Sequence, residues 1–310
     1  MNRKIVYIDT DVSLGTPGAE IDDGAALITL LGNPQIEIAG IGSVFGNAPL
    51  KDASANLDRL MVITGNEDRP LAAGAEGPLA GDMQWFQEWM DGYDATIAWK
   101  SRTQAETSAE MIVRLARTHA GKLTILSLGP MTNLALALEA DPEVAHLVDQ
   151  VIVMGGSFSK EKATPEFNIR CDPHAASAVF QAGWPLAVFG LEVTRRMLFT
   201  REMFTTLTSC NPAVKLLANS AGGWIDRVED MGWEKGGCSL HDAVAAAYLL
   251  DPGLFKMQPV NSIEVELEDG PDYGTTRFLS AQNANANILA AVDVDSKACR
   301  ELIWSRIAEA

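Results

Sequence analysis

The stretch from Lys4 to Leu31, KIVYIDTDVSLGTPGAEIDDGAALITLL, constrains the fold more than any other part of the chain. Ile5, Val6, Tyr7 and Ile8 form a short apolar run bounded by charge, which predicts a buried parallel strand. The run stops in Asp9-Thr10-Asp11. A turn-rich segment carrying Ser13, Gly15, Pro17 and Gly18 follows, and Asp22-Asp23 then opens an apolar run of helical composition. One of these two acids can cap the helix, and both stand at the favourable end of its dipole. Four carboxylates thus gather where a strand stops and a helix begins, the place where open α/β sheets bind ligands. Packed together they repel, so a positive charge belongs among them, and oxygen ligands suit a hard cation such as Ca²⁺ or Mg²⁺. The plainer alternative is a capped helix beside ordinary strand-end polar residues.

Strand and helix signals alternate through the rest of the chain. Strands are expected at Ile36–Val44, Leu123–Leu128, Val151–Met154, Leu186–Gly190 and Ile263–Leu267. Helices are expected at Leu50–Ile63, Thr103–Ala120, Leu134–Ala140, Asp172–Ala182, Arg201–Asn219 (interrupted at Pro212), Ala243–Leu250 and Ala298–Ile307. Arg69–Ala80 reads as loop. Gln84–Trp99, with Trp85, Trp89 and Trp99, fits either a lid or a packed helix, and Trp224 and Trp233 have no evident role. With no linker and no repeat, this grammar predicts a single α/β domain over residues 1–310: a mainly parallel central sheet flanked by helices, with a Rossmann-like core.

The net charge of −17 argues against nucleic acid and anionic membranes as partners. No run approaches the length of a transmembrane helix, and no signal-peptide core follows Met1-Asn2-Arg3-Lys4. Cys171, Cys210, Cys238 and Cys299 are scattered, as expected of reduced thiols in a cytoplasmic protein.

Polar residues recur where strands end, and their order resembles the nucleoside hydrolase family, the inosine-uridine preferring N-ribohydrolases. The family's DTDPGxDD is matched by Asp9-Thr10-Asp11 and Asp22-Asp23, and its LGPLTN by Leu128 to Asn133. Met154-Gly155-Gly156, Glu166-Phe167-Asn168, Asp172-Pro173 and His241-Asp242-Ala243 follow in family order, and Asp293-Val294-Asp295 resembles a late DVD. The agreement runs the length of the chain, and several motifs together are far more specific than one.

The resemblance implies Ca²⁺-dependent hydrolysis of the N-glycosidic bond of a ribonucleoside to free base and ribose. It implies a Ca²⁺ held by Asp11, Asp23, the Leu128 carbonyl and Asp242, with ribose hydroxyls and one water completing the shell. Asp22 would bind the 2′-hydroxyl, and Asn47, Glu166 and Asn168, together with Met154 and Phe167, would complete the substrate site. Asp9 would orient its neighbours. The bond breaks with oxocarbenium character, which carboxylates stabilise. Asp11, touching metal and water together, would be the general base, and His241 the group that assists the departing base. A homodimer or homotetramer acting on a small-molecule nucleoside is implied.

Three departures from the family pattern stand out. Ten residues, Val12 to Ile21, separate Asp11 from the acid pair where the family has three. Lys162-Ala163-Thr164-Pro165 runs directly into Glu166, so an asparagine of the ribose pocket is missing and Lys162 stands near its place. Arg195 occupies a position where the family often has histidine. The inserted residues are expected to bulge outward over the pocket, with Glu20 disfavouring 5′-phosphorylated substrates. Two rival readings are a haloacid dehalogenase-type phosphatase, suggested by Asp9-Thr10-Asp11 alone, and a nucleoside- or ribose-binding protein without catalysis.

Overall fold

In the computed structural model, residues 3–81, 83–90, 99–102, 104–158, 164–279 and 287–310 are described. The strands are, in chain order, β1 (Lys4–Thr10), β2 (Ile36–Ser43), β3 (Leu71–Ala73), β4 (Gln104–Thr107), β5 (Leu123–Ser127), β6 (Val148–Met154) and β7 (Leu186–Phe189). They continue with β8 (Phe199–Thr200), β9 (Gly237–Cys238), β10 (Phe255–Val260), β11 (Ser262–Val265), β12 (Thr276–Leu279) and β13 (Ile288–Val294). Nine strands form one sheet in the order β10-β13-β7-β6-β5-β1-β2-β3-β4, in which only the β10–β13 pair is antiparallel. The chain runs from β1 outward through β4, then returns to the other side of β1 with β5. The strand order therefore reverses beside β1, and a crevice opens at the carboxyl ends of β1 and β5. This is a single α/β domain with a mostly parallel sheet between helices.

Alternation along β1 shows how the sheet is clad. Val6 and Ile8 belong to a core shared with the helices Asp22–Leu30, Pro212–Asp230 and His241–Leu250, whereas Tyr7 packs on the opposite face with Met111, Ile112 and Leu134. Both faces of the strand are covered, which explains its unbroken apolar reading.

Four sequence expectations are corrected. Arg69–Ala80 is not all loop: Leu71–Ala73 joins the sheet as β3, too short to show a period. The helix expected from Thr103 starts at Ser108, because Thr107 and Glu110 form a reciprocal capping box and the four residues Gln104–Thr107 pair with β3. Neither Asp22 nor Asp23 caps its helix. Both lie in the first turn, and the Asp22 N–H instead donates to Glu20 Oε1 at 2.6 Å.

The fourth correction concerns Val12 to Ile21. The segment turns inward rather than outward, and Pro17 alone among the ten is exposed. Val12, Leu14 and Ile21 enter the core, and Ala19 is buried with them. Leu14 lies over Gly24, where a Cβ would strike its side chain, and Gly18 backs onto Gly223 so closely that a Cβ there would stand 3.3 Å from the Gly18 backbone. Two hydrogen-bonded turns (Thr16 N–H to the Ser13 carbonyl, Ala19 N–H to the Thr16 carbonyl) fold the segment against the helices Leu50–Ile63 and Pro212–Asp230. Helix Gln84–Met90 carries Trp85 and Trp89; residues 91–98 and Lys162 lie outside the described residues. Among the described residues no helix is long and apolar enough to cross a membrane.

Candidate active site

The loops after β1, β2, β5 and β6 converge at the crevice. β1 delivers Asp9 and Asp11, both fully buried. Asp9 is held from two sides: Tyr7 Oη donates to Oδ1 at 2.8 Å, and Asn133 Nδ2 donates to Oδ1 at 3.0 Å. Burial pushes the Asp9 carboxyl up to about 7, against the pull of those two donors. Asn133 also donates to the Ser43 carbonyl at 3.1 Å and accepts the Ala75 N–H at 2.9 Å, so one amide ties β1, β2 and the segment after β3 together.

Asp11 Oδ2 accepts the Asn47 N–H at 2.6 Å, while Oδ1 is buried with no hydrogen-bond partner. Beside it, Glu20, Asp22, Asp23 and Asp242 each bring one carboxylate oxygen into a group whose members all lie within 4.8 Å of one another. Asp23 Oδ1 accepts the Thr10 hydroxyl and its Oδ2 the Asn47 Nδ2 at 3.2 Å. No ion pair reaches any of these five acids among the described residues. Burial first, and mutual repulsion next, raise Asp11, Glu20 and Asp242 well above the ordinary carboxylate range and push Asp23 up to about 7.

The donor set fits a hard cation. Oxygens on a shell about 2.4 Å from a Ca²⁺ lie no more than about 4.8 Å apart, the span of this group, and the orphaned Asp11 Oδ1 is a further unsatisfied acceptor nearby. Asp23 and Asp242 come together as the sequence suggested; Asp22 and Glu20 join them, and Asp11 stands alongside. The Leu128 carbonyl, also expected at the metal, accepts Asn168 Nδ2 at 2.6 Å and keeps its second lone pair.

These shifts set a sign for stability. Asp9 and Asp23 hold protons in the fold up to about 7, whereas unfolded aspartates release them near pH 4. Without a cation, their contribution is complete below the unfolded pKa and is lost as pH rises through about 7. The melting temperature in chelator is expected to fall by several degrees between pH 5 and pH 8, and added Ca²⁺ to raise it more at pH 8 than at pH 5. Thermal melts at both pH values check this; a Ca²⁺ effect that shrinks with rising pH would contradict it.

A cavity of about 660 Å³ opens above the acids. Met154, Asn168 and Glu166 line one part of it. Asn168 Nδ2 also reaches the Met154 carbonyl at 3.2 Å. Glu166 caps the helix Phe167–Cys171: its carboxylate takes the N–H groups of Gly156, Asn168 and Ile169. Burial raises its pKa, offset by those three donors and by the charge of Arg195.

Another part of the lining is aromatic. Trp85, Trp89, Trp224 and Trp233 all face the cavity, and Phe167 meets Trp89 at 5.0 Å between ring centres. Trp89 stacks on Trp233, which is 49% exposed. Their shared wall answers the question the sequence left about these four tryptophans. His241 begins its helix at the cavity edge, its Nδ1 2.7 Å from Thr194 Oγ1. Burial lowers the His241 pKa; Asp22 and Glu234 pull it up and Arg195 pushes it down.

Of the catalytic, substrate and metal residues proposed from the sequence, nine line this cavity, and Asp11 and Asp23 are buried among the acids beside it. Reading the motifs missed Thr10, Thr194 and Glu234, whose signal is only proximity to DTD, VT and HDA. Glu234 accepts the Ser239 N–H at 2.6 Å and its hydroxyl, which braces the turn before His241.

Residues 6–301 match the family model described as inosine-uridine preferring nucleoside hydrolase. The chain is 33% identical over 303 residues to a non-specific ribonucleoside hydrolase of Klebsiella pneumoniae, covering 94% of each chain. It is 30% identical over 299 residues to a pyrimidine-specific ribonucleoside hydrolase of Citrobacter koseri, covering 93% of this chain and 95% of the other. Among solved structures, a purine-preferring ribonucleoside hydrolase from Gardnerella vaginalis superimposes with a TM-score of 0.87 at 27% identity, over 99% of this chain and 98% of that one.

Proposed function

The chain belongs to the inosine-uridine preferring nucleoside hydrolase family and is a hydrolase of N-glycosidic bonds, and from that premise we propose that it splits ribonucleosides into free base and ribose in the cytoplasm with Ca²⁺ as its metal. Family membership disposes of the phosphatase reading, and ribose release separates hydrolysis from a binding protein without catalysis on the same fold. The observation that carries the proposal is one cavity with a floor of buried carboxylates, an aromatic wall and His241 at its edge.

Asp11, Asp23, Asp242 and the Leu128 carbonyl are the residues proposed to hold the cation. When bound, it would anchor ribose hydroxyls and make a water molecule acidic enough to act as a nucleophile near neutral pH. Asp11 is the proposed general base. Its Oδ1 has no partner, so that oxygen is available to take a proton, while the Asn47 N–H holds Oδ2 in place. Asp22 would grip the 2′-hydroxyl, and Asn47, Glu166 and Asn168 the rest of the sugar, with Met154 beside it. Negative charge on this floor favours the positive charge that develops at the anomeric carbon. The tryptophans and Phe167 would shield the bond from bulk water and stack on the departing base.

His241 would donate to that base. In the tautomer whose Nδ1 accepts the Thr194 hydroxyl proton, Nε2 carries the proton to be given. Base preference differs among the relatives, which are non-specific, pyrimidine-specific and purine-preferring. The inward fold of Val12–Ile21 removes the expected bulge over the pocket, while Glu20, whose charge is expected to disfavour 5′-phosphates, still lines the cavity.

The test is ribose release from a nucleoside panel and from a nitrophenyl riboside, whose leaving group needs no proton. Wild-type protein is expected to cleave both. His241→Ala is expected to lose about 10²-fold or more on inosine and under about tenfold on the nitrophenyl riboside. Equal losses would make His241 structural, and no ribose from any nucleoside would end the proposal.

A further inference from the structure

We infer that Glu20, brought in by the inserted segment Val12–Ile21, is itself a ligand of the divalent cation, so that this segment is part of the metal centre and not a decoration of the pocket. The inference rests on the cation site proposed above and adds a carboxylate to it.

Three observations carry it. The segment is wedged between two helices with its apolar residues in the core, and it ends by placing Glu20, 6% exposed, in the carboxylate group with Asp22, Asp23 and Asp242. An anionic side chain buried this deeply is destabilising unless something compensates it, and the charged neighbours acting on it are other acids. Its oxygens are also unequally engaged. Oε1 accepts the Asp22 N–H at 2.6 Å, whereas Oε2 has only the Asn47 Nδ2 at 3.5 Å. Backbone donation to Oε1 orients the carboxylate, and the Ser13 hydroxyl, donating to the Glu20 carbonyl at 2.8 Å, closes the turn beneath it. The orphaned, fully buried Asp11 Oδ1 beside this group is the independent sign that a positively charged partner belongs here.

A helix cap made by Glu20 alone would need only Oε1 and would work as well in a glutamine. A ligand needs the charge and the second oxygen. The two roles separate in Glu20→Gln, which keeps an acceptor for the Asp22 N–H and so keeps the fold.

The experiment uses the full chain stripped of metal. Ca²⁺ is titrated by calorimetry, and Eu³⁺, a hard ion that occupies oxygen sites, is bound in its place. The Eu³⁺ luminescence lifetimes in H₂O and D₂O count the waters on the ion. Glu20→Gln is expected to weaken Ca²⁺ binding tenfold or more and to add one water to bound Eu³⁺. Glu20→Asp, which retains the charge but retracts it by one methylene, is expected to add a water too and guards against misfolding of the first variant. An unchanged water count in both folded variants overturns the inference whatever the affinity does, because charge alone can change affinity at a distance. Wild-type protein that binds neither ion overturns the cation site itself, and the part of Glu20 with it.

Discussion

Chelation of divalent cations is expected to abolish ribose release and to lower the melting temperature by about 4 °C. The acids of the site are at most 6% exposed, and no basic side chain is paired with them among the described residues. Two unit charges about 4 Å apart repel by about 4 kcal/mol at an effective dielectric of about 20. Five such acids cannot all stay ionised near pH 7 without compensation, and the raised pKa values of Asp11, Glu20, Asp23 and Asp242 express that cost. A protein stripped of cation relieves the repulsion by taking up protons. That leaves carboxylic acids where the chemistry needs carboxylates. A cation present at about 100 times its dissociation constant stabilises the fold by about 2.7 kcal/mol, and each kcal/mol moves the midpoint of a chain of this size by about 1.5 °C. Ribose assays and thermal melts before and after chelation, with Ca²⁺ added back, measure both effects. Full turnover in stripped protein, with no heat on Ca²⁺ titration, would refute the metal reading.

What the sequence makes legible here is local chemistry repeated at strand ends. β1 is readable because both its faces are covered, so apolar residues run unbroken into Asp9 and Asp11. Asp172-Pro173 announces a helix start, and Asp172 does cap it, accepting the Ala175 N–H at 2.9 Å. Leu71–Ala73 and Gln104–Thr107 are too short for any period, and they become strands only because an edge of the sheet is there to pair with. The direction of Val12–Ile21 is hidden for a different reason. Its glycines and proline allow a bulge either way, and the choice is made by tertiary contacts: Leu14 against Gly24, and Gly18 against Gly223. Seen afterwards, the missing Cβ at Gly24 is the trace that the inserted loop leaves in the helix it packs on. The gathering of Trp85, Trp89, Trp224 and Trp233 around one cavity likewise joins two regions far apart in sequence, the helix Gln84–Met90 and the stretch from Trp224 to Trp233.

Neutralising Asp11 and displacing it should damage catalysis by separate routes. Asp11→Asn keeps the shape of the side chain and an oxygen for the Asn47 N–H, but removes the base. It is expected to lower kcat/KM by about 10²–10⁴-fold, the range spanned by general acid–base catalysis. Gly46→Ala leaves Asp11 in the sequence and moves it instead. A Cβ at Gly46 would fall against Asp11 Oδ2, 2.8 Å from Asp11 Cγ and 2.9 Å from Pro130 Cδ. The ring of Pro130 cannot yield, so the carboxylate must, and the hydrogen bond from Asn47 goes with it. The crowding is expected to cost about 1–3 kcal/mol of stability, with a loss of turnover comparable to that of Asp11→Asn. Gly121→Ala separates the two effects. Gly121 has φ +68° and nothing within 4 Å of a built Cβ, so alanine there strains the backbone by about 1–2 kcal/mol far from the cavity. Its melting temperature should fall while kcat/KM stays at the wild-type value. Wild-type turnover in folded Asp11→Asn would sink the base assignment. A Gly46→Ala protein that melts early yet turns over normally would show that the position of Asp11, unlike its charge, is not what the reaction depends on.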